Sequence, residues 1–238
     1  MLFLGVFEPT LYLLLESYAI LNTSTAFSSV MLSLTPLLSV FLASIILREK
    51  PTSRQYLGVI VSVLGVVLVS WENVSSGVVE PIYLLVLFGA MLCSAIFAVL
   101  SRKYAATYSA FERTLGMFFT ATIVFVALAL FENRHNMSVF LYAINAPEFI
   151  VSILYLGGLS SVVAFFLVNY SNNRLPVVVT SAMGTVTPVV SLLVGVFLLK
   201  EPFGLRSLIG VFFILIGTVS VQKAEKRKVE AGQHITRD

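Results

Sequence analysis

Charge is what this sequence has least of. Only 11% of its 238 residues are Asp, Glu, Lys or Arg, where a soluble domain carries about 25%. A soluble protein of this size must cover its surface with polar groups, and this one has too few. Hydrophobic residues make up 58% of the chain and the mean hydropathy is +0.97. Lipid is the solvent that suits such a composition. Cysteine is nearly absent: Cys93 stands alone in an apolar run, which excludes an intrachain disulfide. The two histidines, His135 and His234, both lie in polar segments. No Cys/His spacing of a metal site exists, so neither metal nor cofactor is implied. The net charge of +3 resides in short loops and a C-terminal stretch, a pattern of membrane orientation rather than a nucleic-acid-binding face.

What the sequence has in abundance is long apolar runs. A helix needs about 20 apolar residues to cross the hydrocarbon core, and eight runs qualify, near 2–21, 25–47, 54–71, 81–100, 112–131, 149–171, 177–199 and 205–222. The expected fold class is an all-α integral membrane protein. Backbone groups in lipid must be satisfied within the segment, and a β-barrel would show alternating runs of about ten residues. Turn-forming residues separate the runs, as at Asn22-Thr23-Ser24 and Glu80-Pro81. With eight spans, 12 of the 15 basic residues fall on one face, among them Arg48, Lys50, Arg54, Arg102, Lys103, Arg113, Arg174 and Lys223. The positive-inside bias makes that face cytoplasmic, together with the C-terminus. The first run has no basic n-region and contains Glu8 and Glu16, so it is expected to be a span rather than a cleaved signal.

An offset of 152 residues aligns the first third of the chain with the last without a gap. Thr35-Pro36 falls on Thr187-Pro188, Glu49 on Glu201, Arg54 on Arg206, and Gly58 and Gly65 on Gly210 and Gly217. Between 3–71 and 155–223 there are 17 identities in 69 positions. Hydrophobic composition inflates such a count, so the Pro, Gly, Glu and Arg coincidences carry the weight. Equivalent spans lie five apart, an odd number, and therefore cross in opposite directions. This is the inverted repeat of many secondary transporters. The expected division is 1–72 as a partial first repeat of three helices, 81–222 as a second repeat of five, and 223–238 as a basic cytoplasmic tail. The two spans at 81–100 and 112–131 have no counterparts ahead of residue 1. The expectation is a ten-helix plan entered at its third helix, with a natural eight-helix form as the alternative.

The paired motifs resemble those of a known family. Leu34-Thr35-Pro36-Leu37, Arg48-Glu49 and Gly58…Gly65, answered by Val186-Thr187-Pro188-Val189, Lys200-Glu201 and Gly210…Gly217, look like EamA domains of the drug/metabolite transporter superfamily. The resemblance covers nearly the whole chain to about residue 222. It implies two five-helix halves and export or exchange of small metabolites; the first two of those helices have no match here.

Candidate functional residues follow from what is polar inside apolar runs. Glu8, Tyr12 and Glu16 are spaced i, i+4, i+8, which a regular helix places on one face. A charge near the midplane costs at least about 2.5 kcal/mol and usually faces a cavity or partner. Removal from water favours the neutral carboxyl, which makes Glu8 a candidate proton carrier or counter-ion. Its repeat equivalent is Ser160, so any coupling role is one-sided. Ser29, Ser33 and Pro36 form a stripe matched by Ser181, Thr185 and Pro188. Proline bends a helix and frees carbonyls, while small hydroxylated residues also allow close packing; lining and packing stand equal for the hydroxyls, and a kink is expected at the prolines. The glycine pairs are expected at helix contacts. Asn169 and Tyr170 fit a polar cap or a gate, and Glu49 and Glu201 fit ion pairs or caps.

The expected function is transport, most simply export, of a small metabolite or amino-acid-like solute by alternating access, with proton coupling as an option. The alternative is a non-transporting membrane scaffold or remnant. A membrane-embedded enzyme is disfavoured because no apolar run holds a His, Lys or Asp for acid–base or nucleophilic work. The expected partners are the lipid bilayer and a small-molecule solute, with a homodimer left open and no nucleic acid. The expected location is the cell membrane.

Overall fold

The computed structural model describes residues 2–46, 52–75, 77, 79–136, 138, 140, 145–174, 190, 193–200 and 204–235. Among them the only regular structure is helical. The helices are α1 (Leu2–Asn22), α2 (Thr25–Ile46), α3 (Ser53–Ser75), α4 (Pro81–Tyr104), α5 (Ala110–Glu132) and α6 (147–174), followed by a single wide turn, α7 (Val194–Leu198), and by α8 (Leu205–Ile235). The first six are long and apolar enough to cross a membrane. Helix α8 is apolar over Leu205–Val221, a length at the short end of the spanning range. It then continues as helix through the basic stretch to Ile235, so most of the expected tail is an extension of α8. The seventh expected span, 177–199, lies largely outside the described residues, with α7 at its end.

Local sequence explains where several helices begin. Ser24 caps α2 by accepting from the Phe27 backbone N–H at 3.1 Å. At α3 the Thr52 N–H donates to Gln55 Oε1 at 2.6 Å while the Gln55 N–H donates to Thr52 Oγ1 at 3.4 Å. Ser109 and Glu112 form the same reciprocal box at α5. Each box satisfies donors that a helix start otherwise leaves unpaired. Helix α2 is broken at Ser33-Leu34 and restarts at Thr35. Pro36, the second residue after the restart, has no N–H to continue the ladder.

The apolar side chains that remain exposed confirm the solvent. Phe111, Leu115, Phe119, Ile123 and Val126 run down one face of α5, and Tyr56, Ile60, Val63, Val67 and Trp71 down one face of α3, all exposed. Water-facing surfaces do not carry stripes of this length.

The chain divides into two compact units, Met1–Thr10 with Leu100–Arg174, and Leu11–Val99 with Leu175–Asp238. In the first, α1 approaches α5 at Gly5, where a Cβ would lie 2.8 Å from both Met117 Cα and Thr120 Cβ. Thr120 Oγ1 donates to the Leu2 carbonyl at 3.1 Å. Phe118 of α5 meets Phe165 of α6 edge-on at 5.7 Å between ring centres.

In the second unit the core gathers Phe27, Val30 and Met31 of α2, Val69 of α3, Leu87 and Met91 of α4, and Val211 and Ile214 of α8. Its most extensive helix contact is α3 against α8. A Cβ on Gly58 would lie 2.7 Å from the Gly217 carbonyl oxygen, and one on Gly210 2.7 Å from that of Gly65. Gly58 therefore faces Gly217 and Gly65 faces Gly210, so the two helices run antiparallel. These are repeat-equivalent positions, and exchanging the repeats turns one pair into the other. Between the pairs, Ser62 Oγ donates to the Ile214 carbonyl at 3.2 Å, and Ser62 and Ile214 are themselves equivalent at the 152-residue offset. Helices α3 and α8 thus cross on the local two-fold axis of the inverted repeat.

Filling this contact is expected to force the helices apart. Gly210→Leu should destabilise the protein by about 1–3 kcal/mol, the usual cost of overpacking, measured as a lowered midpoint of thermal unfolding in detergent. Gly157→Ala, where a Cβ meets nothing within 4 Å, should be neutral or stabilising by up to about 1 kcal/mol.

Candidate functional site

Helix α1 is interrupted at Glu8. This residue has φ −140° and ψ 125°, extended backbone within turns that are otherwise wide and π-type over Val6–Leu11. The residue before a proline disfavours helical angles, and Pro9 follows. The even winding expected from Glu8 to Glu16 therefore holds from Tyr12 onward and is broken at Glu8. The physical reason was present in the sequence as the Glu-Pro pair. Glu8, Pro9 and Thr10 are all buried. Thr10 Oγ1 has no hydrogen-bond partner among the described residues, at a cost of about 1–3 kcal/mol for an unsatisfied buried hydroxyl.

Helix α6 has wide π-type turns over Leu154–Val163, with Ser161 Oγ donating five residues back to the Leu156 carbonyl at 2.7 Å. At the 152-residue offset, 6–11 corresponds to 158–163. Both repeats thus depart from α-helical winding at the same place. Paired irregularities of this kind mark the substrate region of inverted-repeat transporters, and π-type turns concentrate at functional sites. Ser160 lies within this stretch and is exposed.

The remaining candidates separate. In the second unit, Tyr12 Oη donates to Glu16 Oε1 at 2.7 Å, both side chains half-buried. Ser29 and Ser33 are buried, and their hydroxyls donate to the carbonyls of Ala26 and Val30 three residues back in their own helix. Pro36 is half-buried at the break in α2. Ser181, Thr185 and Pro188 lie outside the described residues. An apolar groove of about 580 Å³ opens between α2, α3 and α4, with Gln55, Tyr56 and Ser70 the only polar residues among the described ones that line it. None of the candidates among the described residues lines it.

A polar cluster that the sequence reading did not assemble occupies the first unit. Arg113 is fully buried one turn inside α5. Its Nη1 donates to the Ser101 carbonyl at 2.9 Å and to Ser101 Oγ at 2.7 Å, and its Nη2 to the Asn169 carbonyl at 3.3 Å. Ser101 Oγ donates to Asn169 Oδ1 at 3.2 Å, and Asn169 Nδ2 to Thr114 Oγ1 at 2.9 Å. The cluster ties the end of α4, the start of α5 and the later part of α6 together. A capping box four residues ahead of Arg113 already places it inside the helix, and that was the available sign that it is more than a loop charge. Asn169, expected as a cap or gate, is a core member. Among the described residues no group of His, Cys, Asp and Glu is arranged to hold a metal.

Apolar helices of spanning length, lipid-suited surfaces and a pseudo-two-fold between inverted repeats define a multi-pass α-helical membrane protein of the transporter kind. The chain belongs to the EamA-like transporter family, whose profile matches residues 1–71 and 81–221. It is similar to the uncharacterized transporter YcxC of Bacillus subtilis (strain 168), 28% identical over 233 residues that make up 94% of this chain and 74% of the relative. It is also similar to the uncharacterized transporter YetK of the same organism, 26% identical over 96% of this chain and 68% of the relative. An uncharacterized transporter of Archaeoglobus fulgidus is 28% identical over 90% of this chain and 74% of its own length.

Loss of the buried guanidinium should be felt as stability. Arg113→Ala is expected to cost on the order of 2–3 kcal/mol, because the loss of its hydrogen bonds, each worth about 1.5–3 kcal/mol, is partly offset by relief from burying the charge. Arg113→Lys should recover only part, because an ammonium cannot reproduce the planar fork. Thermal unfolding of the purified variants in detergent checks both.

Proposed function

We propose that the protein moves a small metabolite or amino-acid-like solute across the cell membrane, in the export direction, by alternating access of its inverted repeats, with protons as the coupling ion. The observation that carries this reading is a buried carboxylate, Glu8, at an interruption of a membrane-spanning helix. Irregular backbone at membrane depth is tolerated where it lines a cavity or is buried in protein, and an ionisable residue there is a functional group by default. The matching irregularity at 154–163 of the second repeat supports a solute path at this level. Ser160, at the position of Glu8, brings a hydroxyl and no charge, so protonation belongs to one repeat. Glu16, held by Tyr12, is a second candidate on the proton path. Ser29 and Ser33, bonded to their own helix, act in packing, and Pro36 in bending α2. The C-terminal extension of α8 lies on the cytoplasmic face, where the basic residues concentrate.

The test is proteoliposome uptake with a pH-sensitive dye trapped inside, challenged with a panel of amino acids and related metabolites. At least one solute is expected to drive proton movement in the native protein. Glu8→Gln should reduce that coupled movement tenfold or more, and Glu16→Gln should reduce it less. Solute flux that leaves the dye unmoved would remove the proton from the mechanism. A well-folded protein that passes no solute of the panel would favour the scaffold.

A further inference from the structure

The antiparallel contact of α3 and α8 leaves a second cleft, of about 350 Å³, at one end of the pair. It is lined by Leu57, Gly58 and Val61 of α3 and by Ile216, Ser220 and Ala224 of α8, together with the cations Arg54 and Lys223. Both cations are exposed. Neither takes part in an ion pair among the described residues.

Their depth follows from the sequence. Arg54 is the last charge before the apolar run of α3, and Lys223 is the first charge after the apolar stretch Leu205–Val221 of α8. Both therefore sit where hydrocarbon gives way to headgroups, with the apolar part of the cleft below them. A ligand that suits these walls has a negative head at the level of the cations and an acyl chain against Leu57, Val61 and Ile216. We propose that this cleft holds an anionic phospholipid, its phosphate between Arg54 and Lys223. Basic pockets between membrane helices recognise such headgroups.

The inverted repeat supplies an internal contrast. The symmetry-related end of the same helix pair carries Arg206 in place of Arg54, but Trp71 in place of Lys223. One cation is thereby replaced by an aromatic residue, a common neutral anchor at the interface. The paired charge exists at one end of the contact only, so the site selects lipid from one leaflet.

The experiment is native mass spectrometry of the full chain, released from detergent micelles containing phosphatidylglycerol and phosphatidylcholine in equal amounts. The native protein should retain phosphatidylglycerol with a preference of roughly thirtyfold, as two interfacial cations suggest. Arg54→Gln with Lys223→Gln should abolish the preference, Arg54→Lys with Lys223→Arg should keep most of it, and Arg206→Gln should leave it unchanged. Lys223→Gln alone, at an exposed position, keeps the test readable if the double variant folds poorly. Equal retention of the two lipids by the native protein would overturn the proposal. So would a preference that survives Lys223→Gln but is lost when Lys226, Arg227 and Lys228 are neutralised, which would assign it to diffuse charge beyond the cleft. Displacement of the lipid by millimolar inorganic phosphate would identify a soluble-anion site instead.

Discussion

The backbone-to-backbone approach of α3 and α8 is the contact on which the second unit is built. Lipid offers these helices no hydrophobic reason to associate, so attraction must come from close packing and polar contacts. Glycine supplies the closeness, because the peptide groups of one helix reach those of the other only where no Cβ intervenes. Two glycine pairs flank Ser62, whose hydroxyl donates to the Ile214 carbonyl. The core residues Val69, Val211 and Ile214 bring the seam up against α2 and α4. The symmetry of the repeat is therefore a physical contact as well as a sequence pattern.

Much of this was legible beforehand. The apolar runs defined the helices, because a segment in lipid has few alternatives to helix. The offset of 152 residues identified the glycines as helix contacts. It did not say which glycine meets which, since an alignment gives equivalence rather than contact; only the antiparallel crossing pairs Gly58 with Gly217. The helix interruption at Glu8 was written in the Glu-Pro pair, but an unbroken apolar run invites regular winding. The wide turns of α6 left no comparable sign, as π-type winding has no strong sequence signature. Arg113 was read as an orientation charge, because its burial depends on Ser101 and Asn169, one of them more than fifty residues away in sequence. Ser29 and Ser33 illustrate the reverse case, in which a polar stripe satisfies itself on its own helix.

Polar groups in this protein are handled in two contrasting ways. The Arg113 cluster spreads one guanidinium over a hydroxyl and two backbone carbonyls, and the result fixes three helices. Such a network is costly to disturb and unsuited to repeated protonation. At Glu8 the backbone leaves the helix, and the neighbouring Thr10 hydroxyl lacks a partner among the described residues. The cluster holds three helices together, whereas under the function proposed above the break at Glu8 is where a proton is exchanged.

The crossing of α3 and α8 on a pseudo-two-fold also bears on energetics. Were the two repeats identical, the structure open to one side of the membrane would be the structure open to the other side turned over, and the two would be degenerate in free energy. Each inequivalence lifts that degeneracy. Ser62 opposite Ile214, Lys223 opposite Trp71 and Glu8 opposite Ser160 are three such departures, lying on the axis, at the rim and within the span. Under the alternating access proposed above, the resting preference of the molecule for one side follows from such inequivalent pairs, which can be exchanged one at a time.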